Sequence, residues 1–282
     1  MNRSIATSST ATLIATLVCT AACGPAEQES RGQSQVDEPA PITRVVGSGS
    51  TDFTVNKPVI NRVWGSSDKD VWAVGDGGVV IRWDGTSWSR STTPVPDSAA
   101  LNDIWGTSGS NIWAVGDRGV IIQYNGSAWG AFSLPSINNL LTVWAPSTTD
   151  GWIGGDLGML LRWDGTAWSE QPSSSTQPFI HIRGTAPSKV WAAKQGGDVW
   201  TFDGSKWARL SPAYSATRFW MTADTDVWLY GTSDTFRYNG TMWTSHSLFS
   251  VSALWSAGPS IAWAGVSTNM VRYNGTTWSL NW

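Results

Sequence analysis

The 282-residue chain is poor in the residue types on which most protein chemistry rests. It has two cysteines and two histidines, and only 14% of its residues are charged. Both cysteines, Cys19 and Cys23, fall in the first 23 positions. The rest of the chain therefore offers no thiol for a disulfide or a thiolate metal site, and must be held by packing. His181 and His246 show no HxH or HExxH spacing and have no cysteine partner, which excludes the usual zinc patterns. Glu170 is the one glutamate from residue 60 onward, so paired-carboxylate chemistry would fall to aspartates, and these recur at turns. There is no GxSxG elbow, no Walker loop and no GxGxxG opening a helix. No cofactor is implied. A formal charge of −3 leaves no basic surplus for a phosphate backbone, so nucleic acid is not an expected partner. No stretch after residue 60 has a helical hydrophobic period, which argues against a bundle or coiled coil. What the chain has instead is 29 glycines and 21 tryptophans.

Residues 1–22 read as an export signal. Arg3 is followed by an apolar run through Leu13, Ile14, Leu17 and Val18 and then by small residues. The run is about a dozen residues, too short to span a bilayer. Thr20-Ala21-Ala22-Cys23-Gly24 resembles a bacterial lipobox, departing from it at Thr20, where leucine is favoured. The resemblance implies lipidation of Cys23; the alternative is ordinary signal cleavage near Ala22. Residues 23–57 are rich in Glu, Gln, Ser, Pro and Gly and read as a linker that cannot bury enough apolar surface to order itself. Such a chain reaches about 30 Å root-mean-square, enough to lift a domain off a membrane surface. Its less polar part, Val45–Val55, is a candidate extra strand beside the first or last repeat.

From residue 58 to 282 one phrase returns six times, with repeats starting near 60, 101, 140, 180, 217 and 251. Copy one reads VWGSSDKDVWAVGDGGVVIRWDGTSWS. One tryptophan column is Trp72, Trp113, Trp152, Trp191, Trp228 and Trp263, and a closing column is Trp88, Trp129, Trp168, Trp207, Trp243 and Trp278. An aromatic column precedes the last turn: Trp83, Tyr124, Trp163, Phe202, Tyr238 and Tyr273. The leading column is Trp64, Trp105, Trp144, Trp220 and Trp255, with Arg183 in copy four. Every copy carries Asp-Gly or Asn-Gly after the third column, the strongest short hairpin signal. Four short strands per copy, repeated six times, predict an all-β, six-bladed β-propeller of four-stranded antiparallel blades. Most of the tryptophans are expected to be plates packed between blades.

The phrase VWAVGDGGVVIRWDGTSW is similar to repeats of exported, often lipidated myxobacterial proteins. It also resembles tectonin repeats and the repeats of Asp-box (BNR) propellers, including the photosystem II assembly factor type. These resemblances imply the propeller fold over residues 60–282. An Asp-box has Gly two residues and Trp five residues after its Asp; here Gly85 follows Asp84 directly and Trp88 lies four after it. The arginine triad and acid groups of Asp-box sialidases have no counterparts that can be placed on this sequence, so no activity carries over.

Binding is therefore expected rather than catalysis. In a four-stranded blade the turn between the second and third strands and the link to the next blade share one face, here the link face. The links, residues 91–100, 133–139, 172–179, 211–218 and 247–250, are long and variable, and loops on a rigid scaffold are where binding concentrates. The turn aspartates Asp76, Asp117 and Asp156 fall on this face. They would attract calcium or hydroxyl-rich ligands, or simply bond their own backbone. Phe132, Phe179 and Tyr214 are candidate exposed anchors for a sugar ring or peptide. Arg183, replacing a tryptophan near the central channel, must reach water, a carboxylate or a ligand. Arg82, Arg162, Arg237 and Arg272 precede the third column and would stack on indoles or lie solvated at blade edges. The favoured function is a non-catalytic scaffold lipid-anchored in the cell envelope, with an envelope protein as partner. A tectonin-like carbohydrate-binding module is the alternative, and a glycosidase-like enzyme the third reading. Gly24 after Cys23 favours sorting to the outer membrane, by analogy with enteric lipoproteins.

Overall fold

The computed structural model describes residues 58–134, 137–210 and 214–280. The export signal, Cys23, the linker and Val45–Val55 lie outside the described residues. Six separate four-stranded antiparallel sheets follow one another along the chain, each in simple up-and-down order. They are the six blades of the propeller. The inner strands begin at Ile60, Leu101, Leu140, Phe179, Arg218 and Val251. No helix among the described residues is long and apolar enough to cross a membrane.

The tryptophan columns explain why these sheets stack. The second-strand tryptophan of one blade enters between the third-column aromatic and the closing tryptophan of the next. Trp72 lies 4.8 Å from Tyr124 and 5.6 Å from Trp129. Trp113 lies 5.0 Å from Trp163 and 5.2 Å from Trp168. Trp152 meets Phe202 and Trp207, and Trp228 meets Tyr273 and Trp278, in the same way. Tilted and edge-on arrangements at these distances are the favourable ones for aromatic rings. Trp72, Trp113, Trp152 and Trp228 are among the most deeply buried side chains. Between blades 4 and 5 the contact is looser, with Trp191 and Trp243 6.1 Å apart. Between blades 6 and 1 no such pair forms among the described residues. There Trp263 is only partly buried, and Ile261 and Met270 of blade 6 are exposed.

Arg82, Arg162, Arg237 and Arg272 stack on the indole directly across the strand pair: Trp72, Trp152, Trp228 and Trp263. The first three are tied to a carboxylate at the start of the second strand, Asp70, Asp150 and Asp226. In blade 2 the same two positions hold Gln123 and Asn111, which hydrogen-bond at 2.9 Å. Blade 6 has Ile261 where the acid would stand, so Arg272 lacks the anchor of its counterparts.

The leading tryptophans seal the inner strands by lying on a small residue of the next blade. A Cβ on Gly106 would fall 2.7 Å from the Trp64 ring, and one on Gly184 2.6 Å from the Trp144 ring. Where Arg183 replaces the tryptophan, the next blade carries Met221 at the small-residue position.

Two outcomes follow. Gly106→Ala should lose about 1–3 kcal/mol by overpacking against Trp64. Gly130→Ala, whose Cβ meets nothing within 4 Å, should stay within about 0.5 kcal/mol of the parent; urea unfolding compares the two. The hairpin turns give the second. The Thr86 hydroxyl and the amides of Ser87 and Thr86 hold the Asp84 carboxyl down to about 2. Asp164, held chiefly by the Ala167 amide, and Asp203, held chiefly by the Lys206 amide, are likewise at about 2. A folded-state value below the unfolded one stabilises fully above the unfolded value, and the gain is lost as pH falls through the folded one. The Thr86, Thr166 and Ser205 amide resonances should therefore titrate near pH 2. Those of Ser127, Thr241 and Thr276, bonded to Asn125, Asn239 and Asn274, should stay flat. Midpoints near the ordinary carboxylate value would refute these turn bonds.

Candidate functional site: the link face and the channel mouth

In blades 1 to 4 the second-to-third-strand turn bonds the segment that enters its own blade. The amides of Asp76, Asp117, Asp156 and Gln195 donate to the carbonyls of Val59, Ala100, Asn139 and Pro178 at 2.9–3.0 Å. Turns and links thus share one face, as the topology requires.

The turn aspartates on that face have an architectural task. Asn61 Nδ2 donates at 3.0 Å to Asp76 Oδ1 and at 3.0 Å to the Leu101 carbonyl of blade 2. Asn102 repeats this with Asp117 and the Leu140 carbonyl of blade 3. The carboxylate orients an asparagine that clamps one blade to the next. In blade 3 Leu141 takes the asparagine position, so Asp156 has no such clamp. Among the described residues, no group of three or more His, Cys, Asp or Glu side chains is gathered where it could hold a metal ion.

The candidate aromatic anchors are not free rings. Phe179 is completely buried, which corrects the expectation that it is exposed; its ring fills the core between blades 3 and 4. Phe132 lies 5.0 Å from Trp113 and 5.4 Å from Trp163, a part of the plate stack. Tyr214 packs on Phe236 and Trp243. These side chains face inward because the aromatic columns offer them more buried area than solvent does.

What the link face does expose is apolar and local. Of the exposed large apolar side chains, Val59, Ile137, Leu157 and Phe249 stand at its turns and links. Leu157 is 69% exposed and adopts φ +57°, a left-handed conformation that costs a branched side chain strain. Arg118 has the same conformation at the same place in blade 2, whereas blade 1 uses Gly77 there. Beside each strained turn lies a shallow groove. One of about 220 Å³ is lined by Pro94–Pro96, Arg118–Ile122 and Ala131–Leu134. The other, of about 370 Å³, is lined by Leu157, Gly158 and residues 170–173 and 175. Blades 2 and 3 thus repeat one arrangement, a strained turn over a link-walled groove.

At the channel, the structure assembles a polar cluster from inner-strand residues of different blades. Asp103 is buried and accepts from the amides of Ile104 and Val143 and from the Thr142 hydroxyl. Thr142 Oγ1 in turn accepts from the Ile182 amide, so the bonds pass through blades 2, 3 and 4. Arg183 lies over the Trp105 ring, 4.6 Å from its centroid, and donates through Nη1 to the carbonyls of Val143 and Ile182. Its charge is 3.5 Å from Asp103, as is that of Arg62. Burial lowers the Arg183 value, while the Asp103 carboxylate opposes that shift. His181 stands edge-on to Phe219, and its Nε2 is shielded and has no hydrogen-bond partner. Burial first, then Arg183, Arg62 and Arg218, push its protonation well below the ordinary range, so it is neutral at pH 7. His246, far along the chain, packs on Trp228 and Tyr273, and burial followed by Arg237 lowers it too.

Of this cluster, sequence reasoning found Arg183 alone. Arg62, Asp103, Thr142, His181 and Arg218 occupy one column, two residues before the leading position, and only alignment of that column across copies would have exposed them.

Comparison with known proteins bears on the fold. No family model and no curated protein sequence matches the chain. Among solved structures, YCF48 bound to a D1 peptide superimposes with a TM-score of 0.64 at 17% identity, covering 79% of this chain and 82% of that one. YCF48 from Cyanidioschyzon merolae gives 0.60 at 17% identity over 79% and 85% of the two chains. The computationally designed Ika8 protein gives 0.63 at 13% identity, over 78% and 72%. At these identities the likeness is one of architecture, and the chain is a Trp-rich β-propeller.

Proposed function

We propose that this protein is a non-catalytic binding scaffold whose link face engages a partner protein. The observation that carries the reading is Leu157, an exposed leucine held in left-handed backbone above a groove on the face where the links converge. Strained, exposed apolar side chains persist where they are used, and apolar side chains collected on one face are what a protein partner buries. The YCF48 neighbour, solved with a bound peptide, supports a protein ligand for this architecture. The carbohydrate reading loses its anchors, because Phe132, Phe179 and Tyr214 spend their ring faces on internal packing. A lipid on Cys23 and a linker over residues 23–57 would hold the propeller at the envelope, the outer membrane being the favoured site by the residue at Gly24.

Asparagine tolerates the left-handed region better than leucine, so Leu157→Asn should leave stability unchanged or slightly raised while weakening partner binding. A photo-crosslinking residue at Leu157 or Val95 in living cells should trap one protein. The same probe at Ser87, in a hairpin turn on the opposite face, should not. Equal capture from both faces, or specific binding on a glycan array, would overturn the reading. The anchor has its own check: Cys23→Ser should move the protein from the membrane fraction to the soluble one.

A further inference from the structure

The inner strands gather charge that does not cancel. Over residues 60–67, 101–108, 140–144, 179–186, 218–223 and 251–258 the charged side chains are Arg62, Arg183, Arg218 and one acid, Asp103. Asp103 is already satisfied by two amides and a hydroxyl. Arg62 and Arg183 stand 3.5 Å from it, beyond ordinary hydrogen-bond length. They gain its attraction through long contacts that satisfy their donors poorly. In each of the three arginines the hydrogen bonds run through Nη1, to the carbonyls of Asn61, of Val143 and Ile182, and of Ser252. Each guanidinium has five donors in a planar fork. His181, whose imidazole feels Arg183, Arg62 and Arg218, adds a shielded Nε2 with no partner, a donor when that nitrogen carries the proton. Leaving a buried polar atom unsatisfied is costly, and Arg62 and Arg183 beside the single Asp103 carboxylate repel each other where the dielectric is low.

We propose that the channel mouth on the link side binds a small oxoanion, a carboxylate or a phosphate group, between Arg62, Arg183 and Arg218, with His181 Nε2 donating to it. Guanidinium forks match the paired oxygens of such groups, and the bound charge would relieve the repulsion among the arginines. The site lies at the link-side end of the inner strands and would give the scaffold a charged anchor point there. It requires no protein partner to form. Trp105 beneath Arg183 and Thr142 beside Asp103 fix the positions of the buried members, while Arg218 is exposed on blade 5, where its Nη1 donates to the Ser252 carbonyl.

The two histidines make the test site-specific. In the long-range ¹H–¹⁵N spectrum of the imidazoles only His181 and His246 contribute. Titration of the purified protein with inorganic phosphate, acetate and chloride at constant ionic strength should move His181 saturably, with a midpoint at or below about 10 mM, for an oxoanion but not for chloride. His246 should stay still. Arg218→Gln, an exposed change that leaves the His246 signals in place as proof of folding, should weaken binding roughly tenfold or more. Leu157→Asn should leave the titration unaltered, so failure of the scaffold reading and failure of this site are separable. A response to phosphate alone assigns a phosphate group, to acetate alone a carboxylate, and to both a general oxoanion site. No saturable shift, an equal shift with chloride, or unchanged affinity in Arg218→Gln would overturn the proposal.

Discussion

The insertion of one indole between two aromatic rings of the next blade is the contact on which the rest of the molecule depends. An isolated four-stranded blade has two apolar faces and cannot bury either one. The second-strand tryptophan supplies a plate large enough to cover the neighbour, and the neighbour's third-column aromatic and closing tryptophan form the slot that receives it. Many of these indole N–H groups, including those of Trp113, Trp152 and Trp228, have no hydrogen-bond partner. Full burial of the ring against other rings must outweigh the cost of the orphaned donor, and the slot repeats that gain from blade to blade. The arginine stacked on the opposite side of the same indole, tied to Asp70, Asp150 or Asp226, fixes its orientation from within the blade.

This explains which features the sequence makes legible. Whatever is needed once per blade recurs at a fixed interval, so the tryptophan columns, the Asp-Gly and Asn-Gly turns and the six four-stranded units can be read directly from the chain. Exposure does not follow from the same pattern. Phe132, Phe179 and Tyr214 lie in or beside links, where polar surroundings suggest solvent, yet each ring turns back into an adjoining aromatic stack. A side chain's destination there depends on neighbours some twenty to thirty residues away, and local composition carries no trace of it. The turn aspartates show the same limit, because the clamp at Asp76 depends on Asn61 and on a carbonyl in the following blade.

The channel cluster was illegible for the opposite reason. Its column holds Arg62, Asp103, Thr142, His181, Arg218 and Ala253, a different residue in nearly every blade, so it leaves no periodic signal. Each member becomes meaningful only when six inner strands converge and residues about forty apart come within a few ångströms. The break at Arg183 was visible because it interrupts a column that is otherwise tryptophan. Its consequence in the next blade, Met221 at the position where Gly106 and Gly184 receive a ring, becomes visible only in the packing.

A ring of near-identical units has a nearly uniform surface, and a uniform surface has no single place to bind a single partner. Specificity must then come from departures from the repeat that the interblade contacts can tolerate. The departures here fall on positions that the plate stack does not use. Arg183 replaces a leading tryptophan, not a second-strand one. The inner-strand column bonds from blade to blade around the channel and leaves the aromatic slots untouched. Leu157 and Arg118 occupy a turn that in blade 1 is glycine, outside the sheet ladder altogether. The strain at Leu157 and the unbalanced arginines are both locally unfavourable, and both sit toward one face of a scaffold stabilised elsewhere by its tryptophans. That separation lets the fold remain symmetric while its link-side end becomes chemically distinct.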